Sequence, residues 1–256
     1  MIEKFVEIET PEGRMDAFVA HPEGEPRPSV VLLMDIWGLR EELFDVARRV
    51  AAAGYYCLLP NTYYRQGKVR FEYRNECGEM RSMESLPWDV QEAVRAQMWA
   101  LTDDMIRRDA RPALDFLARE PVRPGTKGVV GYCMGGRHAL CIAAHHPDDF
   151  RATASLHGTR LVTEAADSVH LLADRFKGEI YCGFAEQDSL APPETIATLR
   201  SLLEGRENVR YQFEVHAGTG HGYSLPDRDI YDAQATNRDW NRIFAMFDRQ
   251  LAPTQS

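Results

Sequence analysis

Hydrophobic and polar positions change their period several times along the chain. Residues 2–9 and 14–21 alternate apolar and polar side chains, which predicts an opening β-hairpin. The continuous apolar run at 29–34 is typical of a strand that is buried on both faces of a parallel sheet. Residues 41–53 repeat their apolar positions at helical spacing and end at Gly54, so this segment is predicted to be a helix.

The rest of the chain continues the alternation of strands and helices. The predicted strands are 55–59, 127–132, 151–156, 179–184 and 210–216, and the predicted helices are 89–120 (one long helix or a pair), 134–145, 193–203 and 230–251. This order favours an α/β fold in three layers, with helices on both faces of a mostly parallel sheet. Residues 61–87 are polar, aromatic and poorly periodic, so the region 61–120 is predicted to be an excursion and helices on the substrate side. No repeat or linker divides residues 1–256, which predicts one domain.

Composition narrows the class of protein. The chain has 256 residues, of which 44% are hydrophobic, and a formal net charge of −9 without a run of Lys or Arg. Nucleic acid and membrane are therefore not expected as partners. The five cysteines form no C-x-x-C pair, so neither a zinc site nor a disulfide framework is expected. Residues 1–13 do not resemble a signal peptide and no apolar run reaches the ~20 residues of a spanning helix, which predicts a cytoplasmic protein.

The most informative motif is G-x-C-x-G at residues 131–135, between a predicted strand and a predicted helix. A nucleophile elbow needs this pattern because the turn is so sharp that residues two positions from the nucleophile must lack side chains. Cys133 would lie at a helix N-terminus, where unpaired N–H groups favour a thiolate. The N–H of Met134 would be free to stabilise an oxyanion. The alternative is a buried core cysteine beside two packing glycines.

An acid and a histidine follow the elbow in the chain order that this kind of site requires. Asp188 follows the predicted strand 179–184, and carboxylates at this end of a parallel strand face the site. Glu186 is the reserve candidate. His221 lies in a glycine-rich segment after the last predicted strand and is the predicted general base. His216 competes with it, but its place at a strand end favours a structural role.

Taken together, these segments resemble the dienelactone hydrolase family, the carboxymethylenebutenolidase-like branch of the α/β-hydrolases. The matching stretches are Asp35–Gly38, Ala53–Tyr55, Pro60–Arg65, the elbow, Gly183–Asp188 and Gly220–Gly222. The resemblance implies a Cys133–His221–Asp188 triad that hydrolyses esters or lactones as a carboxylic ester hydrolase, through a thioester intermediate. It also implies that the enzyme needs no metal and no cofactor. The expected partner is a small-molecule ester or lactone, and the expected state is a monomer or homodimer.

Further roles come from the resemblance alone. It implies that the backbone N–H groups of Ile36 and Met134 hold the oxyanion. In the family a glutamate before that isoleucine contacts the resting thiol, and here the matching residue is Asp35, one methylene shorter. Asp35 is therefore the candidate for controlling the ionisation of the thiol. After His221 the chain reads Tyr223-Ser224-Leu225-Pro226, so the family's usual arginine near this point has no clear match.

The candidate residues of the substrate pocket are aromatic or cationic. They are Trp37, Tyr64, Arg65, Arg81, Phe184 and Tyr223. Such aromatic residues could line an apolar pocket, although aromatic side chains are also common in simple packing and both arginines could be solvated surface residues.

Three other interpretations stay open. One is a broad arylesterase of the same fold, with phosphotriesterase activity as a side reaction. The second is a non-catalytic ligand-binding module. The third is a redox sensor in which Cys133 pairs with Cys141 or Cys182.

Overall fold

The fold is built on one eight-stranded sheet, described for residues 1–252 of the chain by a computed structural model. Its strands are β1 (Ile2–Thr10), β2 (Gly13–His21), β3 (Ser29–Leu33), β4 (Tyr56–Pro60), β5 (Lys127–Tyr132), β6 (Phe150–Leu156), β7 (Gly178–Gln187) and β8 (Val209–Gly220). Their order in the sheet is β1-β2-β4-β3-β5-β6-β7-β8. The opening hairpin and the β2–β4 pair are antiparallel, and the pairs from β4 to β8 are parallel. The predicted fold class is confirmed.

In the described part of the chain, residues 1–252, six α-helices accompany the sheet and cover its two faces. They are α1 (Glu41–Ala52), α2 (Trp88–Trp99), α3 (Asp103–Leu117), α4 (Met134–His145), α5 (Pro193–Leu203) and α6 (Ala233–Gln250). The segment 89–120 is a pair of helices, because Thr102 caps α3 by accepting a hydrogen bond from the Met105 N–H. On one face, α1 and α6 meet where the Arg49 guanidinium lies 5.1 Å from the centre of the Trp240 ring. On the other face, α3 packs against α4.

The carboxyl ends of the parallel strands lie under the excursion that follows β4. Backbone hydrogen bonds fix it there, from Met80 N–H to Asp227 O (2.6 Å), from Asp229 N–H to Met80 O (3.1 Å) and from Phe71 N–H to Trp37 O (2.9 Å). The excursion is therefore joined both to the segment after β3 and to the segment after β8. The residues of the helix α2 that follows it are exposed or half-buried, apart from the buried Val94.

Several element ends differ from the sequence-based expectation. The strand β7 continues to Gln187 instead of ending at Phe184. The strand β8 continues to Gly220 instead of ending at His216, because Gly220 pairs with Gln187 beyond a shift of register that follows the Ala185–His216 pair. The last helix begins at Ala233, where the Asp232 side chain caps it by accepting from the Ala235 N–H. Within residues 1–252, no helix is long and apolar enough to span a bilayer.

Candidate active site

Cys133 occupies a strained turn between β5 and α4. Its backbone has φ +53° and ψ −116°, outside the ordinary regions for a residue with a side chain. A Cβ atom on Gly131 would collide with the carbonyl oxygen of Gly135, so the tight turn excludes other residues there. Hydrogen bonds from Cys133 N–H to Leu156 O (3.0 Å) and from Thr159 N–H to Cys133 O (3.2 Å) hold the strained residue in place.

The structure brings three side chains from separate segments into one hydrogen-bonded chain. His221 Nε2 lies 3.1 Å from Cys133 Sγ, and His221 Nδ1 lies 2.8 Å from Asp188 Oδ2. The other carboxylate oxygen of Asp188 accepts a hydrogen bond from the Leu190 N–H at 2.9 Å. The Asp188 side chain is fully buried, whereas that of His221 is 22% exposed. This arrangement fixes both the orientation and the tautomer of His221.

The electrostatics of His221 depend on its two neighbours. Burial on its own lowers the pKa of His221, but the charge of Cys133 and the hydrogen bonds to Asp188 and Cys133 outweigh burial and raise the pKa to about 10. A protonated imidazole beside the sulfur favours the thiolate. His221 can therefore carry a positive charge next to the sulfur.

The two reserve candidates lie elsewhere. His216 Nε2 is 2.6 Å from Asp239 Oδ1, and Asp239 also accepts hydrogen bonds from Tyr223 (2.7 Å) and Tyr181 (2.6 Å). This buried network connects β7, β8 and α6 under the segment that carries His221. Glu186 accepts a hydrogen bond from the Gly218 N–H at 2.8 Å and is exposed.

His157, which was only one of the unassigned histidines in the sequence, packs directly against His221. Its backbone has φ +39°, and the two ring centroids are 5.1 Å apart at an interplanar angle of 77°. Burial lowers the pKa of His157 well below its usual range, and the nearby His221 and Arg228 lower it further, so the ring is neutral. A neutral ring at this point does not repel a protonated His221.

The two candidate oxyanion donors lie on neighbouring segments. Met134 is the first residue of α4, so its N–H has no acceptor within the helix. The first turn of α4 packs tightly against the end of β3, because a Cβ on Gly135 would lie 2.5 Å from Met34 O. The buried Tyr63 joins the two, since its hydroxyl donates to Ile36 O (3.2 Å) and lies 3.8 Å from Met134 Sδ.

Asp35, the candidate for controlling the thiol, directs its carboxylate toward Arg40. Arg40 donates to both of its oxygens, at 2.7 Å and 3.0 Å, and the Trp37 N–H donates to Oδ1 at 3.0 Å. Among the described residues, the hydrogen-bond partner of Cys133 Sγ is His221, not Asp35. The carboxylate of Asp35 therefore holds the backbone of the segment that carries Ile36, and it makes no hydrogen bond to the sulfur of Cys133.

A cavity of about 200 Å³ opens beside Cys133 and His221. Its other lining residues are Asp35, Ile36, Trp37, Met83, Glu84, Arg95, Met98, Trp99, Thr159, Arg160, Leu190 and Arg228. Five of these residues come from the 61–120 region, namely Met83, Glu84, Arg95, Met98 and Trp99. About half of the lining residues are apolar, and the charged ones are three arginines (Arg95, Arg160 and Arg228) and two carboxylates (Asp35 and Glu84).

Of the six predicted pocket residues, Trp37 lines this cavity and the other five do not. The hydroxyl of Tyr64 and the guanidinium of Arg65 both contact Asp109 of α3, at 2.9 Å and 2.7 Å. Arg81 donates to Ser85 instead. The ring of Phe184 is buried against Phe213, and the hydroxyl of Tyr223 is bonded to Asp239. The prediction was wrong for these five because each side chain has a partner elsewhere.

Two arginines that the sequence did not single out face the cavity. Arg228 is 6% exposed and lies 5.6 Å from the centre of the Trp37 ring. It has no ion-pair partner among residues 1–252, and its buried Nε has no hydrogen-bond partner there. Arg160 has φ +53° and stacks on Trp99, with the guanidinium 4.0 Å from the ring centre. Arg160 belongs to the segment that follows β6, and Arg228 belongs to the segment that follows β8.

Comparison with known proteins assigns the family. The model of the dienelactone hydrolase family matches residues 15–251, nearly the whole chain. The chain belongs to the dienelactone hydrolase family.

Curated relatives in this family match along most of their length. A candidate carboxymethylenebutenolidase of Yersinia pestis is 25% identical over 243 residues, covering 91% of this chain and 83% of the relative. One from Methylorubrum extorquens is 28% identical over 246 residues, covering 93% and 78%. This dienelactone hydrolase family member is accordingly a hydrolase.

Solved structures show the same fold. A candidate dienelactone hydrolase from Klebsiella pneumoniae superimposes with a TM-score of 0.83 at 22% identity, covering 97% of this chain and 98% of the other. A dienelactone hydrolase-like promiscuous phosphotriesterase from metagenomic libraries superimposes with a TM-score of 0.77 at 22% identity, covering 98% of this chain and 99% of the other.

Within residues 1–252, this family member has no cluster of His, Cys, Asp and Glu able to hold a metal ion.

The coupling between Cys133 and His221 predicts a measurable change of pKa. Since the charge of Cys133 is the largest cause that raises the pKa of His221, Cys133→Ala should lower that pKa by about 1 to 3 pH units. Titration of the histidine ring signals by NMR measures it. Cys77→Ala, which removes an exposed thiol, is the control and should leave the His221 pKa unchanged. An unchanged pKa in the Cys133 variant would contradict the coupling.

Proposed function

We propose that this chain is a carboxylic ester hydrolase that cleaves an ester or lactone through a thioester on Cys133. The observation that carries the proposal is the continuous chain of contacts from Cys133 Sγ to His221 Nε2 (3.1 Å) and from His221 Nδ1 to Asp188 Oδ2 (2.8 Å). Membership of the dienelactone hydrolase family supports the reaction class. A nucleophile, a base within hydrogen-bond distance and a group that orients the base are the three parts that covalent hydrolysis needs.

The acylation step begins at the sulfur. The thiolate of Cys133 attacks the carbonyl carbon, and the electron pair of the C=O bond moves onto the oxygen. The N–H groups of Ile36 and Met134 stabilise this oxyanion, and one such donor typically lowers the barrier by about 3 to 4 kcal/mol. When the tetrahedral intermediate collapses, the carbon–oxygen bond to the alcohol breaks. His221 gives its proton to the leaving oxygen, which leaves a thioester on Cys133.

The deacylation step reverses the roles. His221, now neutral, takes a proton from a water molecule that attacks the thioester carbonyl. The carbon–sulfur bond breaks, the carboxylic acid leaves and the thiolate faces a protonated His221 again. Asp188 keeps Nδ1 of the ring protonated throughout and stabilises the imidazolium by its hydrogen bond. The neutral ring of His157 supports the other side of the imidazole without opposing its charge.

The preferred substrate carries an anionic substituent. A buried guanidinium without a carboxylate partner is costly, and an anion in the cavity would offset that cost. Arg228 is such a group, at the wall of the cavity that holds Cys133. A carboxylated lactone or ester is the chemical class that would place its carbonyl at the sulfur and its charge at Arg228.

A broad arylesterase is the second candidate. The apolar rim of the cavity favours it, because Trp99 is 54% exposed and Leu190 is 45% exposed at the cavity wall. A neutral aryl ester could occupy this rim without contacting Arg228. Phosphotriesters belong in the same substrate panel as a possible side reaction.

Alkylation tests the nucleophile. In a Cys77→Ala background, which removes the exposed thiol, iodoacetamide should abolish p-nitrophenyl acetate hydrolysis in proportion to the carboxamidomethylation of Cys133. Burial raises the pKa of the Cys57, Cys141 and Cys182 thiols, so these react slowly. Mass spectrometry locates the modification. Full turnover after complete alkylation of Cys133 would rule out the thioester, and a peroxide-induced disulfide on Cys133 would favour the redox sensor.

The substrate class is tested at Arg228. Arg228→Gln should lower kcat/KM for carboxylated lactones and esters by about 10- to 100-fold, because a charge-assisted contact is lost. Neutral aryl esters should change less than threefold, by roughly the effect of a surface substitution. Arg81→Gln, outside the cavity, is the matched control and should change neither. An equal loss for charged and neutral esters would favour the arylesterase.

A further inference from the structure

Arg40 is an unusual residue for its position. It is the N-cap of α1, where a short polar side chain normally accepts a hydrogen bond from the first turn, and its side chain makes no cap hydrogen bond. A positive charge is also unfavourable at the positive end of the helix dipole. Arg40 is nevertheless 0% exposed. Local helix preferences therefore do not account for an arginine at this position.

Two neighbouring carboxylates explain why an arginine occupies this position. Its guanidinium lies between two carboxylates, with contacts of 2.7 Å and 3.0 Å to Asp35 and of 2.7 Å and 3.2 Å to Asp227. Both carboxylates are at least nine-tenths buried. Only a planar fork with several N–H donors satisfies two carboxylates in this way, so lysine cannot replace the geometry.

Each carboxylate belongs to a segment that carries a part of the site. Asp35 precedes Ile36, and its Oδ1 accepts the Trp37 N–H at 3.0 Å, so the carboxylate fixes the backbone on both sides of the candidate oxyanion donor. Asp227 lies six residues after His221, and its carbonyl accepts the Met80 N–H. Arg40 thus connects the oxyanion segment with the segment after His221.

We propose that Arg40 is a positioning residue for the oxyanion hole: its buried ion pairs with Asp35 and Asp227 hold the Ile36 N–H at a fixed place relative to Cys133 and His221. The inference rests on the proposed function, because it takes the Ile36 N–H as an oxyanion donor. The carboxylate of Asp35 then acts through the backbone of its own segment instead of on the thiol. Tyr63 supports the next peptide of this segment, because its hydroxyl donates to Ile36 O while the Trp37 N–H of that peptide donates to Asp35.

The proposal predicts a selective loss. Displacement of a catalytic group by about 1 Å can reduce the rate roughly 100-fold. Arg40→Lys keeps the charge but not the fork, so it should lower kcat/KM for p-nitrophenyl acetate by about 10- to 100-fold. Affinity for a trifluoromethyl ketone, which becomes an oxyanion when the thiolate adds to it, should fall in parallel. The rate of alkylation by iodoacetamide, which forms no oxyanion, should stay within about twofold of the unchanged protein because Cys133 and His221 are untouched.

Two further variants complete the test, one as a control and one as a second disturbance of the same ion pairs. Arg48 on the same helix also pairs with three carboxylates (Glu3, Glu41 and Asp45), but it lies away from the site, so Arg48→Lys should leave all three measurements unchanged. Asp227→Asn weakens the same cluster from its other end and should reproduce the selective loss if Arg40→Lys does not fold. Circular dichroism checks folding in each case.

The outcomes separate the two proposals. A selective loss of hydrolysis and of ketone affinity, with alkylation retained, supports the role of Arg40. Unchanged hydrolysis in both Arg40→Lys and Asp227→Asn, or an equal loss of hydrolysis and alkylation, overturns that role while hydrolysis still requires Cys133. Turnover that survives Cys133→Ala overturns the proposed function, and the inference about Arg40 with it.

Discussion

The sharp turn at Cys133 is the constraint on which the site depends. A residue with φ +53° is unfavourable by itself, and its neighbours must both permit and hold the turn. Gly131 and Gly135 permit it, since side chains there would collide with backbone. Hydrogen bonds that join Cys133 to Leu156, at the end of β6, and to Thr159, just beyond it, hold the turn. The result is a sulfur at the start of α4 and at the carboxyl edge of the sheet, where the segments after β3, β6, β7 and β8 can all reach it.

The positively charged side chains around this sulfur differ in whether they have a carboxylate partner. Next to it, the imidazole of His221 meets the buried carboxylate of Asp188, so a positive charge can face the sulfur. Farther along, Arg40 is fully paired between Asp35 and Asp227 and has no capacity left for a ligand. Arg228, in contrast, is buried without an ion-pair partner among residues 1–252. A paired arginine stabilises the wall of the cavity, and an unpaired one is available to an anion.

The sequence predicted the features that depend on local pattern and chain order. The spacing of apolar residues in strands and helices predicted the α/β fold. The G-x-C-x-G turn and the order of Asp188 and His221 after it predicted three residues that the structure brings together. The pocket was predicted poorly because side-chain direction depends on tertiary packing. Phe184 could face either side of β7, and only the packed sheet shows that it contacts Phe213. Arg228 lies between Asp227 and Asp229, and such a charged run is typical of a solvated loop. Arg40 precedes an amphipathic helix, where nothing in the sequence pattern distinguishes it from a surface arginine.

The central claim is that catalysis passes through a covalent bond to Cys133. Intact-protein mass spectrometry during turnover of a slowly deacylated ester, such as p-nitrophenyl pivalate, tests it most directly. The account predicts a single added acyl group that peptide mapping places on Cys133, that neutral hydroxylamine removes as expected for a thioester, and that is absent from Cys133→Ala. An acyl group on a serine, or full hydrolysis by the Cys133→Ala variant, would contradict it.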